Sequence, residues 1–232
     1  MRVLAIGDIH GCLRALDGLL GAIRLQSDDT LVTLGDYVDR GPDSAAVLDR
    51  LIALQKRCRL IPLKGNHDVM MLGARRDLAT FEDWFACGGR ETLQSYDADT
   101  HWDLFQDAIP PSHWRFLEDD CRPYHVTGTH FFVHANAYPD VPLDEQPDHM
   151  LYWERLSANL SRPHDNGKIM VCGHTSQRSG RPLDFGHAIC LDTWVYGDGW
   201  LTCLDVKTRL YWQANQRGQT RTGWLDEIAE QI

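Results

Sequence analysis

Three short segments concentrate reactive side chains: Gly7-Asp8-Ile9-His10-Gly11, Gly35-Asp36-Tyr37-Val38-Asp39-Arg40-Gly41 and Gly65-Asn66-His67-Asp68. Each follows a short apolar run that predicts a buried strand, so the chemistry stands where strands end. Asp8 and His10 lie two apart and share one face of an extended segment, offering an oxygen and a nitrogen to a divalent cation. Asp36 can bridge two ions through its two carboxylate oxygens, and Asn66 adds a neutral carbonyl ligand. His134 and His174 end two later apolar runs and add nitrogens. This oxygen-and-nitrogen set without thiolate suits manganese, iron or zinc better than calcium. Two ions about 3.5–4 Å apart can hold phosphoryl oxygens and bring the pKa of a bound water towards about 7. The implied chemistry is hydrolysis of a phosphate ester, with manganese as the expected metal pair and iron or zinc as alternatives.

Taken singly these residues say little. A lone Asp after a strand is commonly a turn or helix cap, and Asn66 alone could serve a left-handed backbone position. The weight lies in the joint pattern, six candidate ligands at five predicted strand ends, most with a glycine alongside. Arg40 presents a planar fork matched to phosphate. His67 follows the ligand Asn66 and should face the same cavity. Asp39 can orient that imidazole and raise its pKa, and His67 in its charged form can protonate a leaving alkoxide, a step worth about 10²–10⁴-fold.

The elements that must position these groups follow from periodicity. Residues 3–6, Leu31 to Leu34 and Leu60 to Leu63 predict strands, the last at an edge because of Pro62. Residues 12–24 and 43–56 carry apolar positions at helical spacing, the second helix capped by Asp43 or Ser44, and 67–76 predicts a third helix. This β-α-β-α-β order implies parallel strands, with ligands beyond their carboxyl ends. Residues 77–120 predict a helical insertion over the site, in which Trp84, Phe85 and Gly88-Gly89 form a lid or substrate wall or, for most of the aromatics, simply pack on the sheet. Strands return at 124–127 and 130–134 as a hairpin about Gly128, then at 168–172, 187–192, 200–206 and 209–213, with a terminal helix over 222–231.

The chain has 232 residues, 43% of them apolar, enough for one sizeable core, and a single domain over 1–232 is expected. The net charge of −10 disfavours binding to duplex nucleic acid or anionic membranes. No apolar stretch is long enough to span a bilayer, and no secretory signal pattern precedes the first strand. The seven scattered cysteines lack a CxxC pair, which predicts reduced core thiols and a cytoplasmic setting.

Gly-Asp-x-His-Gly, Gly-Asp-x-Val-Asp-Arg-Gly and Gly-Asn-His-Asp, in this order and spacing, resemble the signature blocks of the PPP family of metallophosphoesterases. The compact bacterial and bacteriophage lambda-type serine/threonine protein phosphatases are most similar. The resemblance continues through Val133-His134-Ala135, Trp153-Glu154-Arg155 and Cys172-Gly173-His174-Thr175 to Leu191-Asp192-Thr193. It implies a calcineurin-like α/β fold with central β-sheets flanked by helices. It assigns Asp8, His10 and Asp36 to one metal and Asp36, Asn66, His134 and His174 to the other. His67 would be the general acid supported by Asp39, with Arg40 and Arg155 gripping phosphate and metal-bound water attacking directly. Implied substrates are phosphoserine or phosphothreonine in a protein or peptide, or a small phosphate ester. Symmetrical diadenosine tetraphosphate hydrolases of the same family share Gly-Asn-His-Asp and form the alternative, with Trp84 and Trp102 able to stack adenine. A silent metal-binding module would lack a ligand or the acid, and none is missing. Two departures stand out: Asp68 where Glu is common, and Trp194 where Gly often follows Asp-Thr.

Overall fold

The expected β-α-β-α-β order is realised in a computed structural model, which describes residues 1–157 and 161–229. Strands β1 (Val3–Ile6), β2 (Thr30–Thr33) and β3 (Arg59–Pro62) pair in parallel, with β3 at the edge. Helix α1 (Leu13–Ile23) follows β1 and buries Ala15, Leu16, Leu19 and Ile23. Each large aliphatic side chain so buried contributes about 1.5–3 kcal/mol. Helix α2 (Ser44–Leu54) follows β2 and buries Val47, Leu48, Leu51 and Leu54. Neither expected cap operates: Asp43 makes no side-chain cap bond, and the Ser44 hydroxyl accepts from Asp39 N instead. Helix α3 (Asn66–Gly73) starts at Asn66, one of the ligands expected from sequence, and ends three residues before the expected 76.

The insertion is helical, comprising α4 (Leu78–Trp84), a π-helical turn (Phe85–Gly89), α5 (Arg90–Ser95) and shorter turns at Phe105–Ala108, Pro111–Arg115 and Phe116–Asp120. Residues 100–104, read as helical from sequence, form turns and bends. The insertion packs beside the strand ends and shares a hollow with Arg40 through Phe85, Cys87 and Gly88. Trp84, Phe105, Phe116 and Leu117 join the core that α1 and α2 form against the first sheet.

Strands β4 (Tyr124–Val126) and β5 (His130–Val133) form the expected hairpin. They begin a second sheet, ordered β4-β5-β6-β8-β7, through β6 (Ile169–Cys172), β7 (Leu183–Asp184) and β8 (Ala188–Cys190). Short β9 (Asp192–Thr193) pairs β10 (Trp200–Asp205), which returns antiparallel to β1 and continues into β11 (Leu210–Ala214) and β12 (Thr220–Trp224). The terminal helix expected from residue 222 is thereby corrected. Thr220–Trp224 is an edge strand, and the helix spans Asp226–Ala229 among the described residues. Positions 230 and 231 of that expectation lie outside them.

The two sheets pack face to face. Ala5, Val32, Leu34 and Ile61 of the first meet Phe132, Val171, Ile189 and Leu191 of the second in one dry layer. This stacking brings the carboxyl ends of β1, β2 and β3 beside those of β5 and β6. Six of the seven cysteines are buried thiols and Cys87 is exposed. Among the described residues no helix is long and apolar enough to cross a membrane.

Candidate functional site

The five strand ends converge on a cleft of about 330 Å³. Asp8, His10, Asp36, Arg40, Asn66, His67, Arg155 and His174 line it, joined by Ser176, Arg178 and Tyr196. His134 and Asp39 stand immediately behind, both wholly buried. Every site residue expected from sequence is thus at or against this cleft. The backbone that delivers them is unusual. His10, Asp36, Asp39, Arg40 and His174 all have positive φ, between 46° and 72°. Non-glycine residues in that region cost about 1–2 kcal/mol each, and such outliers concentrate at functional sites. Glycines on the same loops permit the close approaches: a Cβ on Gly65 would lie 2.2 Å from Asp36 Oδ1, and one on Gly173 would lie 2.0 Å from Asp8 Oδ1.

Asp36 is the hub. Its Oδ2 lies 3.4 Å from His10 Nε2 and its Oδ1 lies 3.5 Å from His134 Nε2. Burial opposes its charge, yet the neighbouring imidazoles, His134 first and then His67, outweigh that and hold the carboxyl below the usual range. Two groups of side chains have ligand atoms close enough to take a cation, one of His10, Asp36 and His67, the other of Asp36, His134 and His174. The histidine tautomers agree. His10 Nδ1 donates to Val38 O at 3.0 Å, His134 Nδ1 to Leu34 O at 2.8 Å, and His174 Nε2 to Trp153 O at 2.9 Å. A carbonyl can only accept, so the inward nitrogen of each neutral ring carries a lone pair. Burial pushes the His10 pKa down to about 3 and, with His134, the His174 pKa down to about 4, which keeps both neutral.

The inward lone pairs collide with another acceptor. Asn66 Oδ1 lies 2.9 Å from His134 Nε2 and 3.0 Å from His174 Nδ1. With both rings neutral these three atoms are all acceptors, and a cation between them would relieve their repulsion. The residues present therefore fit a divalent pair. Asp8 accepts from His174 N through both oxygens, at 3.1 and 3.0 Å, and burial with Asp192 and Asp36 nearby drives its pKa well up.

Beside the metal residues, His67 Nδ1 lies 2.7 Å from Asp39 Oδ2. Burial opposes the charge on His67, but Asp36 and Asp39 prevail and its pKa is raised. Asp39 is itself braced by the insertion. Thr92 Oγ1 donates to its Oδ1 at 2.7 Å, and the Trp84 indole donates at 3.0 and 3.1 Å to the two oxygens. Thr92 Oγ1 also accepts from Asp39 N at 2.8 Å, and Gly88 O accepts from Arg40 N at 3.2 Å. Burial raises the Asp39 carboxyl, but four donor contacts into its two oxygens keep it an acceptor. The insertion is thus a clamp behind the Asp39–Arg40 turn, and none of its described residues lines the cleft.

Sequence reasoning missed Thr92, Ser44, Tyr196 and Arg178 in this setting, and it saw Trp84 as wall or packing rather than as a donor to Asp39. The Arg40 guanidinium lies 4.6 Å above the Tyr196 ring. Asp68, the first departure, accepts from Gly65 N, Asp36 N and Tyr37 N, tying the second and third loops together. Burial and the Asp36 charge push its pKa up to about 8. Trp194, the second departure, adopts φ 64°, the conformation a glycine there would favour, and packs on Gly197 and on the cleft-lining Tyr196 and Arg178 without lining the cleft itself. Arg155 follows the helix Asp148–Tyr152 in irregular chain and forms no ion pair among the described residues, so its guanidinium is available to the cleft. His187 is held by Ser161 and lies outside it.

The sequence model of the calcineurin-like phosphoesterases matches residues 1–204. Serine/threonine-protein phosphatase 1 of Salmonella typhimurium is 33% identical over 217 residues, covering 88% of this chain and 92% of that protein. A symmetrical bis(5'-nucleosyl)-tetraphosphatase of an Acidovorax species is 51% identical over 75 residues, covering 32% of this chain and 26% of that protein. Among solved structures, a candidate diadenosine tetraphosphatase superposes with a TM-score of 0.66 at 22% identity, over 97% of this chain and 94% of the other.

Proposed function

Since the chain belongs to the calcineurin-like phosphoesterase family, we propose that it hydrolyses phosphoserine and phosphothreonine monoesters, with His67 donating the proton to the leaving alkoxide. That it is a metallophosphoesterase follows from the family, which is dimetal-dependent. The bound cations, manganese in this reading, would supply Lewis acidity and a water of lowered pKa. Asp8, His10 and Asp36 would hold one, and Asp36, Asn66, His134 and His174 the other.

The observation that carries the proposal is the buried His67–Asp39 pair at 2.7 Å. Asp39 accepts the hydrogen bond from Nδ1–H and, with Asp36, favours the charged imidazole, leaving Nε2–H to hand its proton over. An alkoxide is a strong base and needs that proton, whereas a nucleotide leaving group needs it less. Arg40, held above Tyr196, and Arg155, which lines the same cleft, would grip the phosphoryl oxygens bidentately. Asp39 and His67 are held too firmly, by Thr92, Trp84 and each other, for an incidental ion pair.

Asp68 and the segment shared with the tetraphosphatase favour dinucleoside polyphosphates as a second reading. The stacking it invoked is absent from the cleft: Trp84 is wholly buried and the Trp102 indole donates to Ala74 O. A panel of phosphoserine peptide, diadenosine tetraphosphate and p-nitrophenyl phosphate, run on manganese-reloaded protein, tests the proposal. The expected result is peptide turnover above that of the dinucleotide, lost strongly in His67→Asn at unchanged metal content. Preference for the dinucleotide, or an unaffected His67→Asn variant, would overturn it.

A further inference from the structure

A second cavity, of about 360 Å³, opens beside the metal cleft on the outer face of the second sheet. Its floor is apolar, built from Phe131, Ala137, Met150, Met170 and Ala188, all less than a tenth exposed. Arg155 lines both cavities. The preceding residue, Glu154, lines the second, and Trp153 O holds the His174 ring. One strand of irregular chain therefore forms the partition, and the two cavities lie within reach of a single arginine side chain.

We propose that this cavity receives an apolar side chain of the substrate polypeptide, one or two residues from the phosphorylated residue. The inference rests on the phosphoprotein reading above. An extended peptide advances about 3.3–3.6 Å per residue, so a chain whose phosphate meets Arg155 brings its near neighbours to the cavity mouth. The polar groups around the floor are already engaged. His187 bonds Ser161, His164 bonds Val141 O and Asn166 N, the Asn136 amide bonds Arg155 O, and Arg162 pairs with Asp140. Phe131 is 1% exposed and meets His164 edge-on at 5.0 Å, so it offers no open ring face for stacking. The floor is a thioether-lined hollow that selects by size and apolarity, and methionine adapts readily to such side chains.

The test is a series of phosphoserine peptides that differ at single positions, from two before to two after the phosphoserine, as Ala, Leu or Glu. Leu at one of these positions is expected to raise kcat/KM about 10- to 100-fold over Ala, and Glu to give no gain. Filling the cavity with Ala188→Phe should abolish the Leu preference while leaving p-nitrophenyl phosphate turnover within about twofold of wild type. Should that fully buried variant not fold, Ala137→Phe, at a floor position 8% exposed, fills the hollow from another side and carries the same expectation. Active peptides with no positional preference, or a preference that survives filling, would overturn this inference and leave the phosphatase reading intact. Turnover of p-nitrophenyl phosphate with none of any phosphopeptide would overturn both.

Discussion

Replacing Asp39 by Asn changes one atom of a buried network and tests how His67 acts. Thr92 O–H and the Trp84 indole both donate to Asp39 Oδ1, so the amide oxygen will occupy that position. The amide nitrogen then faces His67 Nδ1 in place of Oδ2, which now accepts at 2.7 Å. Nδ1 becomes an acceptor, its proton moves to Nε2, and the ring stays neutral. A hydrogen bond to a charged group contributes about 1.5–3 kcal/mol. At about 1.36 kcal/mol per decade, its loss lowers kcat about 10- to 150-fold where protonation of the leaving group matters. Stopped-time phosphate release from a phosphoserine peptide should show that loss. p-Nitrophenyl phosphate, whose leaving group is a weak base, should lose far less. Metal content measured on the same samples should be unchanged. Equal losses on both substrates at full metal content, or no loss on either, would refute the assignment of His67 as the acid.

Thr92→Val removes the hydroxyl that donates to Asp39 Oδ1 and accepts from Asp39 N, leaving Ser44 as that N–H's remaining acceptor. Urea unfolding should show a loss of about 1–3 kcal/mol, and Thr92→Ser should recover most of it. Gly173→Ala forces a Cβ to within 2.0 Å of Asp8 Oδ1, so the carboxylate must shift although no ligand is replaced. The manganese concentration for half-maximal activity should rise about 10- to 100-fold while Tm moves little. Asp29, buried at the start of β2, accepts from Arg2 Nε at 3.0 Å, and that bond holds its carboxyl below the usual range. Its contribution is fully present above about pH 3.9, the unfolded value, and is lost as pH falls through the lower folded pKa. Urea midpoints of wild type and Asp29→Asn should therefore differ at pH 7 and converge below about pH 4.

Much of the site was legible because its ligands sit at strand ends, where a glycine, a polar residue and an apolar run fall within six positions. Asp8, Asp36 and Asn66 could each be tied to β1, β2 and β3 by periodicity alone, and His134 and His174 to β5 and β6. The brace behind Asp39 was not legible in this way. Thr92 and Trp84 lie 53 and 45 positions away, inside a helical segment whose sequence gives no sign of which turn it packs against. The positive φ values of His10, Asp36, Asp39, Arg40 and His174 leave no mark on residue type, since none of these is glycine. Strand β12 was missed for a different reason. Thr-Arg-Thr-Gly-Trp is largely exposed at a sheet edge, so burial imposes no apolar alternation on it. The second sheet's packing on the first was likewise invisible, because its strands carry continuous apolar runs that suit several partners.

The most direct measurement is an anomalous difference map at the manganese edge, from crystals of protein reloaded with manganese and shown to turn over p-nitrophenyl phosphate. The account predicts two peaks per chain, flanking the Asp36 carboxylate about 3.5–4 Å apart, one beside Asp8 and His10 and the other beside Asn66, His134 and His174. A single peak, or peaks remote from Asp36, in such active crystals would contradict it.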